Sequence, residues 1–229
     1  MEIQALWFNT LKIMQLLANK FNETSLAEKY ASMAESTRKS FEAKFWNPEK
    51  QCLFDVVAES GVDFSLRPNQ IIAAALDFRM LDTDKNAIIV DFVQREFLTP
   101  YGLRTLSRSD PRYRGTYAGA KNTRDQAYHN GTVWPWLLGP LTTAFLKTNC
   151  ASKRNRDFAF KNFLQPLFEK HIYEAGLASI SEIFDGDPPH KPRGCVAQAW
   201  SVAEPLRAYV EDIRQIRPAH EKDAVQAIV

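Results

Sequence analysis

Apolar residues recur at helical spacing along most of the chain. Segment 3–21 places Ile3, Leu6, Trp7, Leu11, Met14 and Leu17 at the spacing of one helical face. Ser25-Leu26-Ala27-Glu28 reads as a capping box, Ser25 capping and Glu28 reaching back. It opens a helix that runs to about Trp46 and buries Tyr30, Met33, Ala34, Phe41 and Phe45, until Asn47-Pro48 ends it. Cys52 to Val57 reads as a short extended segment. Pro68 suits the first turn of a helix over 68–78, and Asp82 or Asp84 starts another over 82–97. Further helices fit 131–148, 153–170 and 194–213, and a Gly- and Pro-rich stretch, 173–193, separates the last two. The sum is about seven helices and little strand, with no internal repeat. Residues 1–213 form the expected domain and 214–229 a polar tail.

Two features of this pattern bear on architecture. The first helix begins at Glu2 with no capping residue ahead of it, which fits either a frayed end or a chain that starts inside a larger fold. The connections are also long. Residues 100–130 are rich in Gly, Arg, Tyr and Ser with weak periodicity, and a loop of that length inside a domain is usually functional or disordered. Helices alternating with such loops describe an all-α toroid, with the site built by loops at one end, better than a plain bundle with short connections.

Composition narrows the function classes. Hydrophobic residues make up 45% and charged residues 24%, as in ordinary globular domains. A formal net charge of +2, with Lys and Arg scattered among Asp and Glu, gives no footprint for nucleic acid or an anionic membrane. No apolar run approaches the roughly 20 residues of a membrane span, and acidic Glu2 argues against a signal peptide. Cys52, Cys150 and Cys195 are odd in number and far apart, which points to reduced thiols in the cytoplasm. His129, His171, His190 and His220 are too dispersed to make a metal set, and no cofactor motif appears.

The candidate chemistry is that of sugar. Aromatic faces stack on the C–H faces of a pyranose, planar polar groups bind its hydroxyls, and glycoside hydrolysis adds two carboxyl groups. Arg124 to Trp136 holds Arg124, Asp125, Tyr128, His129, Trp134 and Trp136 at a loop-to-helix junction. Each Trp alone could be core, and Arg124–Asp125 a structural pair, but together they read as a sugar site. Glu174 to His190 centres on Glu182, set among Ile180, Ile183 and Phe184 before an Asp-Gly turn. Such a carboxyl can have a raised pKa or act as a positioned base, or be an exposed loop glutamate. Asp185 and Asp187 either shape the turn or bind a hydroxyl. Gln198 and Trp200 open the last helix, where Trp200 could cover a sugar or fill the core. Arg67, Asn69 and Arg104 are minor candidates, each more often structural.

Four segments, in order and spread over residues 2–208, resemble the C-terminal glucosidase region of bacterial and archaeal glycogen-debranching enzymes. They are Glu2 to Trp7, Leu66 to Gln70, Arg124 to Trp136, and Ser181 to His190 continuing into Gln198 to Ser201. The resemblance implies a glucoamylase-like (α/α)6 toroid that hydrolyses α-1,6-linked glucose at branch points of glycogen or limit dextrin with inversion. It implies Glu182 as general base, and His129, Trp134, Trp136 and Trp200 along the sugar pocket. The family's general acid, an aspartate, would lie ahead of Met1, and the toroid here would be incomplete. Inversion requires two carboxyls roughly 6.5–9.5 Å apart, and general acid catalysis contributes about 10²–10⁴-fold. The chain alone is therefore expected to be weak or inactive. An incomplete ring would also expose apolar helix faces to a complementary N-terminal half or to self-association.

Two other classes of function fit the same residues: a non-catalytic carbohydrate-binding module, and a structural helical protein whose tryptophans are core. An acid-bearing half encoded in frame upstream would favour the hydrolase, and its absence would favour binding without turnover. The structural reading predicts no sugar binding at all.

Overall fold

A computed structural model describes residues 1–221, so part of the expected tail, 222–229, lies outside the described residues. The helices are α1 (Glu2–Lys20), α2 (Thr24–Phe45), α3 (Gln70–Ala75), α4 (Thr83–Phe97), α5 (Lys121–Tyr128) and α6 (Leu138–Thr148). Next, α7 (Lys153–Ala159) continues through a π-helical stretch, Phe160–Leu164, into α8 (Gln165–Glu169). Last, α9 (Ala199–Arg207) runs on as a π-helical stretch, Ala208–Ile213. Helices α1, α3, α6 and α9 pack side by side in that order, and α2 and α4 pack on α1 and α3. The most buried of them is α6, whose Leu138, Leu141 and Ala144 have no exposed surface. Gly139 lets α9 approach it closely, because a Cβ there would sit 2.3 Å from Glu204 Oε2 and 3.0 Å from the Glu204 carbonyl.

The helix pattern holds with local corrections. Asp82 caps α4, accepting from the Lys85 amide at 2.7 Å. The Ser25 capping box does not form: α2 starts at Thr24, Glu23 is its N-cap, and no side chain caps it, so Ser25 is already inside the first turn. Within α2, Ala34 and Phe41 are buried and Tyr30 and Phe45 half-buried, but Met33 is exposed. The helix expected over 68–78 is only Gln70–Ala75. The last helix begins at Ala199 rather than 194, because Gly194 takes φ +67° and breaks the run. Residues 100–130 are not all loop. They contain α5, whose polar composition hides its helical period.

The largest departure concerns α1. Its buried face is Ala5, Phe8, Asn9, Leu11 and Ala18, of which the stripe its spacing favours contains Leu11 alone. Ile3, Leu6, Trp7 and Ile13 are 67%, 44%, 45% and 49% exposed, and Met14 is exposed as well. The helix is apolar on two faces. One packs against α2 and α3, and the other stays largely exposed.

Short strands position the site. Besides two small hairpins, β1 (Trp46–Asn47) with β2 (Cys52–Leu53) and β3 (Val56–Ala58) with β4 (Gly61–Asp63), there is a five-stranded antiparallel sheet. Its order is β5 (Leu98–Thr99), β6 (Gly102–Arg104), β7 (Val133–Trp134), β8 (Ile183–Phe184) and β9 (Pro192–Arg193). Leu103 pairs with Trp134, Val133 with Phe184, and Ile183 with Arg193. Strand content is thus small, but it gathers the two richest loops.

Arg67 ties these loops to the front of the chain. Its Nε lies 3.2 Å from Asp55 Oδ2, its Nη1 donates to the carbonyls of His129 (2.7 Å) and Thr105 (3.1 Å), and its Nη2 donates to Asn130 Oδ1 (3.1 Å). Burial raises the Asp55 carboxyl above its ordinary range, and Arg67 opposes that rise. Arg67→Met would strand Asp55 and three acceptors. It is predicted to cost about 3 kcal/mol, read as a lower urea midpoint at unchanged slope. A loss well below about 1 kcal/mol would show that the clasp is dispensable.

Candidate functional site

Glu182 immediately precedes β8 and is only 9% exposed. Its backbone continues the ladder: its amide donates to the Cys195 carbonyl at 2.9 Å, and Ser201 Oγ donates to its carbonyl at 3.4 Å. Its carboxylate is held at both oxygens. The Tyr128 hydroxyl donates to Oε1 and the Cys195 amide to Oε2 at 2.9 Å. Gly194 is what allows the second bond, since a Cβ there would lie 2.4 Å from Oε2, and its left-handed φ suits glycine. Burial pushes the Glu182 carboxyl up, but the bonds from Tyr128 and from the amide and thiol of Cys195 outweigh it. The pKa ends below the ordinary value of 4.5. Neither a raised pKa nor an exposed loop position, two of the readings open to this carboxyl, is found, and the balance favours the ionised form.

Beside it stands an aromatic cluster. Trp134, in β7, is buried. Its ring is stacked on His129 (5.6 Å, 11°) and meets Tyr128 and Trp200 edge-on at 5.0 and 5.8 Å. Its indole N–H donates to the Tyr128 carbonyl at 3.2 Å and to Thr132 Oγ1 at 3.1 Å, so Trp134 forms the floor. Trp200 stacks on half-buried Trp136 at 5.7 Å and remains 47% exposed, presenting an open indole surface. His129 is also exposed. Burial of its ring and the nearby Arg67 charge hold its pKa below 6.5, which favours the neutral imidazole. A carboxylate base, a neutral imidazole and an exposed indole can together bind hydroxyls, stack a sugar face and activate water.

The other sequence candidates are placed differently. Asp185 is buried, with both oxygens engaged by Arg193 (2.9–3.1 Å) and Oδ1 also accepting from the Tyr117 amide at 2.8 Å. These bonds fix the loop between β8 and β9, in keeping with the turn-shaping alternative for Asp185. Asp187 accepts from the Tyr113 hydroxyl at 3.0 Å. Arg124 and Asp125 lie on the exposed side of α5. Arg124 donates to the Gly119 carbonyl at 3.0 Å, and no ion pair joins the two among the described residues. Gln198 is half-buried as the N-cap residue of α9, with no capping bond from its side chain. Asn69 donates to Glu2 Oε1 at 3.1 Å and Arg104 to the Gly186 carbonyl at 2.9 Å, both structural. Sequence reasoning missed Gly194 and Cys195, which it had assigned to a helix. The one available signal was a glycine following Pro192-Arg193.

A family model described as amylo-alpha-1,6-glucosidase matches residues 1–207. The chain belongs to the amylo-alpha-1,6-glucosidase family. Glycogen debranching enzyme of Saccharomyces cerevisiae (strain ATCC 204508 / S288c) is 26% identical across 72% of this chain, which spans 13% of that relative's length. Among solved structures, a sialidase chain superposes with a TM-score of 0.71 at 17% identity, covering 94% of this chain and 20% of its own. The neutral trehalase of the same yeast superposes at 0.64 with 12% identity, covering 99% of this chain and 39% of its own. The mostly helical fold is thus shared with these two chains, and the family match spans nearly all of the described residues.

One buried titration supports the Glu182 segment from behind. His171 has no exposed surface, and its Nε2 accepts from the Ser181 amide at 3.1 Å. Burial lowers its pKa below 6.5 despite Glu174 beside it, so the folded form favours the neutral ring. A lowered histidine contributes stability that is intact above its unfolded pKa and lost as pH falls from there through the folded pKa. Stability should therefore fall as pH drops below about 6.5, with His129 adding in the same direction. His171→Gln should make that decline shallower in urea titrations at stepped pH. An unchanged slope would remove His171 as the cause.

Proposed function

We propose that this chain is the base-bearing region of a glycosidase that hydrolyses α-1,6-linked glucose at branch points of glycogen or limit dextrin with inversion. The observation that carries the reading is Glu182, held ionised by Tyr128 and Cys195 beside the exposed Trp200. In the reaction Glu182 accepts a proton from water as the water attacks the anomeric carbon, and an acid on the opposite side protonates the leaving oxygen. Asp185 and Asp187, the carboxylates that follow Glu182 on its loop, are engaged elsewhere. The family resemblance assigns the acid to a complementary segment, and the exposed apolar residues of α1 are where such a segment would pack. By itself the chain binds α-glucan with little turnover, and its unpaired cysteines suit a cytoplasmic setting.

Three measurements test this. Glucose release from a branched limit dextrin should be negligible for residues 1–229 and substantial for the chain extended upstream. In the extended form, Glu182→Gln should lower kcat by at least about 10²-fold while glucan binding persists. Near-normal turnover in that variant would remove Glu182 from the mechanism. Trp200→Ala should weaken glucan binding by about tenfold, equivalent to about 1.4 kcal/mol. Unaltered binding would exclude the indole as a sugar platform.

A further inference from the structure

The sequence pattern places Tyr128 among sugar-binding residues, but its hydroxyl points at Glu182. We propose that Tyr128 is the positioning residue of Glu182, fixing the carboxylate's rotation so that a lone pair is left to accept from the attacking water. The role rests on reading Glu182 as the base.

The geometry converges from three directions. Tyr128 ends α5, and its own carbonyl accepts from Trp134 Nε1 at 3.2 Å and Thr132 Oγ1 at 2.6 Å. Its ring is held against His129 at 4.7 Å, Trp134 at 5.0 Å and Tyr117 at 5.9 Å. The hydroxyl is thus delivered by an immobilised ring rather than a free side chain. On the opposite oxygen, the Cys195 amide at 2.9 Å and the bare Cα of Gly194 complete the clamp. With Tyr128 on one oxygen and the Cys195 amide on the other, turning the carboxylate about its Cγ–Cδ bond breaks both of these bonds. Each oxygen still has acceptor capacity for water.

The titratable groups facing Glu182 are Tyr128 from α5 and Cys195 from the loop before α9. Tyr117 and His129 flank Tyr128, and His171 lies behind, bonded to the Ser181 amide. The causes acting on Glu182 include no lysine or arginine, so hydrogen bonds rather than an ion pair keep it ionised. Burial first, and then the Glu182 carboxylate, raise the Tyr128 phenol, so it remains a protonated donor and does not compete as a base.

Tyr128→Phe keeps the ring and deletes only the donor. The test is a pH titration of the Glu182 side-chain carboxyl by NMR in the full chain labelled with ¹³C-glutamate, the resonance being assigned with Glu182→Gln. In the unaltered chain Glu182 should titrate below 4.5, and in Tyr128→Phe its pKa should rise by about one unit. A merely structural tyrosine would not move it. An unmoved pKa in a folded Tyr128→Phe, or an unaltered Glu182 titrating at or above the ordinary value, would overturn the proposal. The second measurement holds even if the variant does not fold. The titration needs no turnover, so its outcome is separable from the base assignment. A shifted pKa with normal turnover in extended Glu182→Gln retains the clamp and removes the base. An unshifted pKa with turnover lost in Glu182→Gln does the reverse.

Discussion

The short pairing of β8 with β7 and β9 is the constraint on which the site depends. Val133 faces Phe184 and Ile183 faces Arg193, bringing together loops some 50 residues apart in the sequence. Glu182 stands just before β8, Trp134 lies in β7, and the Gly194–Cys195 turn follows β9. The strands are two residues long and could not persist alone. They persist because Val133, Ile183 and Phe184 are fully buried, with Phe184 against Tyr101 and His171. The helices supply the wall, and this ladder supplies the alignment.

The charge state of Glu182 follows from the same alignment. Desolvation alone would favour the protonated acid. Donors from two residues reverse that outcome, and both residues depend on backbone placement: Cys195 on the left-handed turn at Gly194, and Tyr128 on the end of α5. Asp185, three residues on, is bound instead by Arg193 and the Tyr117 amide, which fixes the loop between β8 and β9. Two carboxylates on one loop thus have separate roles, one shaping and one open to chemistry.

The helical architecture was legible because most helices are amphipathic or carry a cap such as Asp82. The aromatic cluster was legible because Trp134, Trp136 and Trp200 stand near polar, turn-forming residues. What could not be read depended on long-range contact. Helix α5 is short, and its apolar residues are confined to Ala127 and Tyr128 at its end, so no period could be read from it. On α1 either apolar face could have been the inner one, and tertiary packing rather than spacing chose Ala5 and Phe8 over Leu6 and Trp7. Asp185 and Asp187 look alike in sequence, and only the position of Arg193 and Tyr113 separates their surroundings.

The central claim is that Glu182 and the exposed Trp200 face one sugar-binding space. Its most direct test is a crystal structure of this chain with a short oligosaccharide carrying an α-1,6-linked terminal glucose. That glucose should lie against the indole of Trp200, with a water hydrogen-bonded to Glu182 and facing the anomeric carbon. A sugar seated elsewhere, with the Trp134–Trp200 cluster and Glu182 left vacant at saturating ligand, would contradict it.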